Sequence, residues 1–312
     1  MRILLKIALG ITFIFSSLSF INTANALDIV FAEDRPDLRT LDPRITQSRH
    51  EEMLIVNMFD QLISADSEGN IYPGLATSWD VSSDGLEYTF SLRDDVSFHD
   101  GTKFNAAAVK ATFDSIVDPE TGSQGAVDIL GPYKETIVID DFTAKVVFER
   151  RYGSAITAFT ETELSIVSPT ALDKLGNEGF GMAPVGTGPF MFKNWEANKK
   201  VELVRNPDYN WAPEYMDGSG PSQVANLTYR LIKDTSTRVA ALEAGEVDIA
   251  ELVPPLDMRR FDSSGDLSTV TGTVSGLPYS AFLNTTTGVF QDINVRKAFF
   301  HSLDRVKMTS DL

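Results

Sequence analysis

Residues 73–113 read PGLATSWDVSSDGLEYTFSLRDDVSFHDGTKFNAAAVKATF. A turn signal, Ser83-Asp84-Gly85, precedes a segment in which apolar residues alternate with polar ones, the period of a half-buried strand: Tyr88, Phe90 and Leu92. A second turn signal follows at His99-Asp100-Gly101. Asn105 can then cap a helix whose apolar residues recur at i, i+4 and i+7: Val109, Phe113 and Ile116. The stretch therefore predicts a strand, a turn and a helix in this order.

The rest of the chain continues this mixture of strands and helices. Residues on both sides of the Asp140-Asp141 turn predict a pair of strands: Ile137, Ile139, Lys145, Val147 and Phe148. Farther on, Asp234 or Thr235 can cap a helix that ends at Gly245, and residues 247–249 are predicted to form a short strand. The fold class predicted from these patterns is α/β.

The N-terminus has the three parts of an export signal. Arg2 and Lys6 form a short basic region, residues 7–20 are mainly apolar, and Ala24-Asn25-Ala26 has the small-x-small form that signal peptidase requires. A membrane anchor is the alternative, but the apolar run is shorter than the roughly 20 residues that a spanning helix needs. We expect residues 1–26 to be removed, so that Leu27 begins the mature chain.

The composition of the chain indicates in which compartment it works and which partners are disfavoured. The chain has no cysteine, which excludes disulfides, thiolate metal sites and the lipid-bearing cysteine of a lipoprotein. A formal net charge of −17 disfavours nucleic acid and anionic membranes as partners, although acidity also serves solubility alone. We therefore expect a periplasmic protein that is not lipid-anchored.

Several short stretches, taken in order, resemble one protein family. Besides residues 73–113, the landmarks are LDP at 41–43, VGTGPF at 185–190, RNPDYNW at 205–211, LEAGEVDIA at 242–250 and NVRKAFFHSLDR at 294–305. Each piece alone is weak, but their order and spacing together resemble family 5 of the bacterial extracellular solute-binding proteins, the dipeptide-, oligopeptide- and nickel-binding group. The resemblance covers essentially all of the mature chain.

This resemblance implies a periplasmic binding protein-like two-lobed fold, of class II and cluster C type, that closes over its ligand. By the family pattern, residues 27–63 and 185–256 form the core of lobe I and residues 64–184 form its inserted subdomain. Lobe II begins near Leu267, and residues 267–312 form only its beginning, because members of the family continue well beyond the last landmark. The resemblance also implies a monomer without catalytic residues or cofactors, which works with an ABC permease and its ATPase.

Two landmarks have a physical role that does not require a ligand. Trp79 is expected to fill the core between a helix-like segment and the following turn. In Gly186-Thr187-Gly188-Pro189 the glycines would permit positive φ and close backbone approach, and Pro189 would fix the exit direction. A phosphate loop is the competing interpretation of this motif, but no Lys-Ser or Lys-Thr follows it.

The resemblance also indicates which residues line the lobe I side of the ligand site. Members use residues just after the LDP landmark, here Gln47, Ser48 and Arg49, and the loop after a Val-Asp-Pro turn, here with Gln124 and Gly125. A surface arginine is more often simply solvated. Such a polar wall suits an extended peptide, because its side chains can pair with the ligand backbone while tolerating varied ligand side chains.

Two other functions remain open from the sequence. Nickel-binding members share nearly the same landmarks, but the three histidines, His50, His99 and His301, lie far apart and none has a metal-ligand spacing. An exported hydrolase could use adjacent carboxylates as acid and base, with Asp94-Asp95 and Asp140-Asp141 as candidates. Both pairs fall where turns are expected, so solvated turn carboxylates explain them better. Peptide binding is therefore favoured, with opine-, oligosaccharide- and glutathione-like ligands as further options.

Overall fold

A computed structural model describes residues 27–34, 38–216, 218–265, 267–272, 281–304 and 306–307. The predicted export signal, residues 1–26, lies outside the described residues. The chain divides into two compact units, the first ending at Asp257 and the second beginning at Met258.

The described residues form strands and helices with the following bounds, in chain order. They are β1 (Leu27–Glu33), α1 (Arg49–Ile55), β2 (Ile63–Ala65), β3 (Ile71–Pro73), β4 (Ala76–Val81), β5 (Glu87–Leu92), α2 (Ala106–Val117), α3 (Gly125–Leu130), β6 (Tyr133–Asp140), β7 (Thr143–Phe148), α4 (Ala155–Ala158), α5 (Pro169–Met182), β8 (Phe190–Glu196), β9 (Lys200–Arg205), β10 (Val224–Leu231), α6 (Thr235–Glu243), β11 (Ile249–Ala250), α7 (Pro255–Ser264) and α8 (Ile293–His301).

Two sheets organise the first unit. One has five strands in the order β11-β1-β10-β9-β8, with β1 parallel to both β10 and β11 and the other pairs antiparallel. The other has four antiparallel strands in the order β4-β5-β7-β6, and β2 pairs with β3 as a separate ribbon. The mixed composition confirms the predicted α/β class.

The alternating residues of β5 form the centre of the core of the four-stranded sheet. Tyr88, Phe90 and Leu92 are all buried, and Phe90 meets Phe159 edge to face at 5.0 Å. The strand prediction is therefore confirmed. Trp79 packs against this core only partly buried, but it lies in β4 opposite Phe90, so the expectation of a helix-like segment before it is wrong. This segment forms a strand because pairing with β5 satisfies the hydrogen-bonding groups of its backbone.

Helix α2 begins where the sequence predicts. The Asn105 side chain accepts a hydrogen bond from the backbone N–H of Ala108 at 3.1 Å, which satisfies one of the orphan donors of the first turn. Val109, Phe113 and Ile116 are buried along one face, and Phe113 packs on Phe159. The apolar face of the helix therefore covers the core side of the four-stranded sheet.

The remaining local predictions are mostly confirmed. Asp234 caps α6 by accepting from the N–H of Thr237 at 2.7 Å, and Gly245 follows this helix with a φ of +69°. The predicted β6–β7 pair joins across the Asp140-Asp141 turn. The strand expected at residues 247–249 is displaced to β11, because only Ile249 and Ala250 reach the register of β1.

The Gly-Thr-Gly-Pro turn lies directly on the backbone that follows α1. A Cβ on Gly188 would lie 2.5 Å from the Met58 carbonyl carbon, and one on Gly186 would overlap the Met58 carbonyl oxygen. Neither glycine has a positive φ, so that part of the prediction is wrong. The two glycines are needed for close approach alone.

His99 holds the same turn from the other side. Its Nε2 contacts the Gly188 carbonyl oxygen at 2.9 Å and its Nδ1 accepts the Gly186 N–H at 3.4 Å. Both contacts are satisfied when a neutral ring carries its proton on Nε2. Burial lowers the pKa of His99 to about 4, which keeps the ring neutral under ordinary conditions.

Gly186→Ala is expected to lower the free energy of unfolding by about 3 kcal/mol or more, because the added methyl group would displace the Met58 backbone. Gly153→Ala is the matched control, since no atom lies within 4 Å of a Cβ at that position. Urea unfolding of the two variants measures the difference. Equal stabilities would show that the turn does not depend on this close approach.

Stability is expected to fall as the pH drops from 6.5 towards 4. In that range the unfolded chain protonates His99 while the folded chain does not, which costs up to about 3 kcal/mol. The His99→Gln variant lacks this titration, so its unfolding free energy should depend less on pH across the window. Parallel pH profiles for the protein and the variant would contradict this account.

Candidate functional site

The five residues predicted to line the ligand site lie in two segments that the fold brings together. Gln47 and Ser48 directly precede α1, and Arg49 is its first residue. Gln124 precedes α3, and Gly125 is its first residue. Gln47 Nε2 donates to Gln124 Oε1 at 2.8 Å, which joins residues 77 positions apart in sequence. We call this surface the polar wall; its role in ligand binding stays a prediction.

The polar wall presents its side chains to solvent. Gln47, Arg49 and Gln124 are exposed, and Ser48 is half-buried. In the described part of the chain, no carboxylate lies within ion-pair distance of Arg49. Its guanidinium therefore keeps its donors available for an anionic group of a ligand.

A buried ion pair supports the segment that leads to the polar wall. Asp42 and Arg44 are almost fully buried, and Arg44 Nη2 donates to Asp42 Oδ2 at 2.6 Å. Arg44 also donates to Ser115 of α2 at 3.0 Å and to Asn177 of α5 at 3.1 Å. The segment after β1 is thereby attached to two helices. In the sequence Asp42 stands out only as part of the Leu-Asp-Pro landmark, and its pairing with Arg44 is not apparent there.

Glu51 attaches the start of α1 to the same segment. Its Oε1 accepts the backbone N–H of Arg39 at 2.8 Å, and its Oε2 accepts the hydroxyl of Thr46 at 2.8 Å. Glu51 is buried although it lies in the first turn of a helix. Gln47 and Ser48 follow Thr46 directly, so these bonds limit their freedom. A ligand would then meet side chains whose backbone is already ordered.

The second segment of the polar wall is formed by a cap and a left-handed glycine. The side chain of Asp118 accepts the backbone N–H of Glu120 at 2.9 Å, and the chain then makes a single helical turn. Gly122 ends that turn with a φ of +68°, a conformation that glycine adopts without strain. The turn directs Gln124 towards Gln47.

Two buried polar atoms beside the polar wall have no hydrogen-bond partner within the described residues. They are His50 Nδ1 and Ser123 Oγ. Each residue adjoins a predicted one, His50 next to Arg49 and Ser123 next to Gln124. Buried polar groups normally have partners, so these atoms are candidates to contact a ligand or a bound water molecule. Nothing in the sequence distinguishes these two residues from solvated ones.

Within the described ranges, the structure shows no assembled site for metal binding or for hydrolysis by paired carboxylates. No group of three His, Cys, Asp or Glu side chains comes together there to hold a metal ion. Asp94 and Asp95 lie exposed in a bend, where Asp95 is held by Arg93, and Asp140 and Asp141 lie exposed at a hairpin turn. Among the helices described, none combines the length and apolar character that a bilayer crossing requires.

The chain as a whole is similar to proteins of one family. The model of a family described as bacterial extracellular solute-binding proteins, family 5, middle region, matches residues 70–312. The glutathione-binding protein GsiB of Escherichia coli is 30% identical over 300 residues, which are 96% of this chain and 56% of that protein. The chain therefore spans little more than half the length of this relative.

Solved structures show the same similarity. The peptide-bound DppA of Helicobacter pylori superposes with a TM-score of 0.65 and 26% identity, over 75% of this chain and 48% of that one. NikZ of Campylobacter jejuni, bound to Ni(L-His), gives a TM-score of 0.65 and 26% identity, over 75% of this chain and 45% of that one. The fold is thus one that carries more than one class of ligand.

Asp42→Asn is expected to lower the free energy of unfolding by about 3–5 kcal/mol, because it leaves the Arg44 charge buried without its counterion. Lys110→Ala is the control, since it breaks a pair with Asp114 of the same 2.6 Å length whose side chains are nearly half exposed. That change should cost no more than about 1 kcal/mol. Urea unfolding distinguishes the two, and a small effect of Asp42→Asn would exclude the ion pair as the main support.

Proposed function

The chain belongs to family 5 of the bacterial extracellular solute-binding proteins, and from this premise we propose that it is the substrate-binding component of an ABC importer. It captures peptides of the dipeptide and oligopeptide class in the periplasm and delivers them to the membrane permease and its ATPase. The polar wall is the observation that carries this proposal. Gln47, Arg49 and Gln124 offer both donors and acceptors to an extended ligand on an ordered backbone.

Peptide-like ligands match the chemistry of the polar wall. A peptide has amide groups that pair with glutamine side chains, and a terminal carboxylate that an unpaired guanidinium binds. The bond between Gln47 and Gln124 uses one donor and one acceptor, so each amide keeps further hydrogen-bonding capacity. Glutathione, which GsiB binds, belongs to the same peptide-like class.

A nickel chelate is the second candidate ligand, because NikZ, which binds Ni(L-His), is similar at 26% identity. It is less favoured because the three histidines are far apart in sequence and belong to different elements of the structure. His50 is in α1, His99 is beside the Gly-Thr-Gly-Pro turn, and His301 ends α8. A catalytic role is the remote alternative, since the relatives compared are binding proteins.

We also propose that the chain forms lobe I, with its inserted subdomain, and the beginning of lobe II of a two-lobed binding protein. Four of the five strands in the larger sheet lie wholly within 185–256, and the remaining one, β1, lies within 27–63. The four-stranded sheet lies wholly within 64–184, as expected for an inserted subdomain. Residues 267–312 would begin lobe II. We further propose that the protein is a periplasmic monomer released by cleavage after Ala26, without a lipid anchor.

Arg49→Gln is expected to weaken the binding of a dipeptide about tenfold or more, because a charge-assisted hydrogen bond contributes roughly 1.5–3 kcal/mol. The same variant should bind the C-terminally amidated dipeptide as the unchanged protein does, since that ligand has no carboxylate. Arg150→Gln, at another exposed arginine, is the control variant. Isothermal titration calorimetry measures the affinity of the unchanged protein and of both variants for the dipeptide and for its amidated form.

Three results would contradict the proposal in different ways. If Arg49→Gln weakened both peptides equally, the carboxylate would not be its partner. Binding of a nickel–histidine chelate but of no peptide would favour the metal-chelate class. New fragments in a chromatogram of a peptide mixture incubated with the protein would show catalysis instead of binding alone.

A further inference from the structure

A cavity lies at the end of α1 opposite to the polar wall. Its volume is about 370 Å³, a size typical of sites for small ligands. Six of its lining residues determine its chemistry: Asn57, Asp60, Ser64, Tyr209, Trp211 and Tyr215. Aromatic side chains and one carboxyl group therefore line the same small space.

Asp60 contributes a carboxyl group that has no ion-pair partner within the described residues. Burial raises the pKa of this group, and hydrogen bonds from neighbouring side chains oppose the rise. Its Oδ2 accepts from Thr187 Oγ1 at 2.7 Å and from Trp211 Nε1 at 3.1 Å, and its Oδ1 accepts from Tyr209 at 3.2 Å. A carboxylate has about four acceptor sites, so one remains on Oδ1. Among the described residues no lysine or arginine nitrogen lies within 4 Å of it. The nearby Arg93 is held by Asp95 through two bonds.

The surroundings of the cavity are also acidic. Glu161 lies between Thr160 and Thr162, which both line the cavity, and Glu52 lies one helical turn before the lining residue Val56. Burial raises the pKa of Glu161. Burial also raises the pKa of Glu52; Arg49 opposes this rise, and the nearby Glu161 adds to it. A cation bound nearby would favour the charged forms of both carboxyl groups.

The aromatic residues complete a wall that suits a cation. The rings of Tyr209 and Trp211 have centroids 5.0 Å apart, and Tyr215 packs on Tyr72 at 5.0 Å while its hydroxyl bonds to Ser64. Tyr215 remains 40% exposed, so the cavity opens to solvent beside it. The faces of aromatic rings attract cations, and more strongly where water is partly excluded.

From this arrangement we propose that the cavity binds a small organic ammonium ion, with Tyr209, Trp211 and Tyr215 as its aromatic wall and Asp60 as its counter-charge. The site is separate from the polar wall and does not depend on the proposed peptide function. It would allow the protein to respond to a second solute, or to hold a cationic side chain of another molecule at this surface.

Choline and its uncharged isostere 3,3-dimethyl-1-butanol are the probes that test the charge. The two molecules have nearly the same shape, so ligand-observed NMR titrations of the whole chain compare charge alone. Choline is expected to bind at least about tenfold tighter, as cation–π and carboxylate attraction require. Equal affinities, or no binding of either probe, would overturn the proposal.

Variants locate the binding in the cavity. Tyr215→Ala should weaken choline binding about tenfold, while Tyr215→Phe, which keeps the ring but loses the bond to Ser64, should retain it. Phe142→Ala is the matched control, because that ring is 38% exposed and does not line the cavity. Unchanged choline affinity in Tyr215→Ala would overturn the proposal.

Asp60→Asn tests the counter-charge, with circular dichroism to confirm folding because Asp60 also accepts three hydrogen bonds. Loss of choline binding in the folded variant is expected, and retained binding would exclude Asp60 as the counter-charge. If this variant does not fold, Tyr215→Ala still decides the outcome. Tyr215→Ala should leave dipeptide binding unchanged, because Tyr215 is not part of the polar wall, so failure here and failure of the peptide proposal are distinguishable.

Discussion

The buried pair of Asp42 and Arg44 is the constraint on which the polar wall depends. Its charges lie out of contact with water, where an unpaired ion would be strongly unfavourable, so the two side chains must stay together. Arg44 also reaches Ser115 and Asn177, and its guanidinium lies 5.6 Å from the centre of the Phe180 ring. One side chain thus connects the segment after β1 with α2 and α5 and places residues 47–49 beside the loop before α3.

A second set of contacts joins the two sheets at the other end of α1. Asp60 accepts bonds from the turn at Thr187 and from the aromatic pair at Tyr209 and Trp211, while His99 of the four-stranded region bonds to the backbone of that turn. These bonds link residues 89 to 151 positions apart in sequence. The polar wall and the cavity therefore adjoin the same helix, because α1 begins at the first and ends at the second.

Residue patterns in the sequence were sufficient to predict the elements whose structure depends only on neighbouring residues. The alternation of Tyr88, Phe90 and Leu92, the cap at Asn105 and the end of α6 at Gly245 all depend on neighbours within a few positions. Local patterns failed at Gly186, where glycine usually indicates a positive φ. The actual reason is the Met58 backbone, 128 positions earlier, which leaves no room for a side chain.

The sequence by itself determined the fold class, the family and the two short segments that make the polar wall. It could not determine that Gln47 and Gln124 touch, that His50 and Ser123 have buried atoms without partners, or that Asp60 faces a cavity. These are properties of pairs of residues distant in the chain, and a lone aspartate or glutamine has the same local pattern in a solvated turn. Only tertiary packing decides which polar groups lose water and which partners they find, because desolvation depends on everything that surrounds the group.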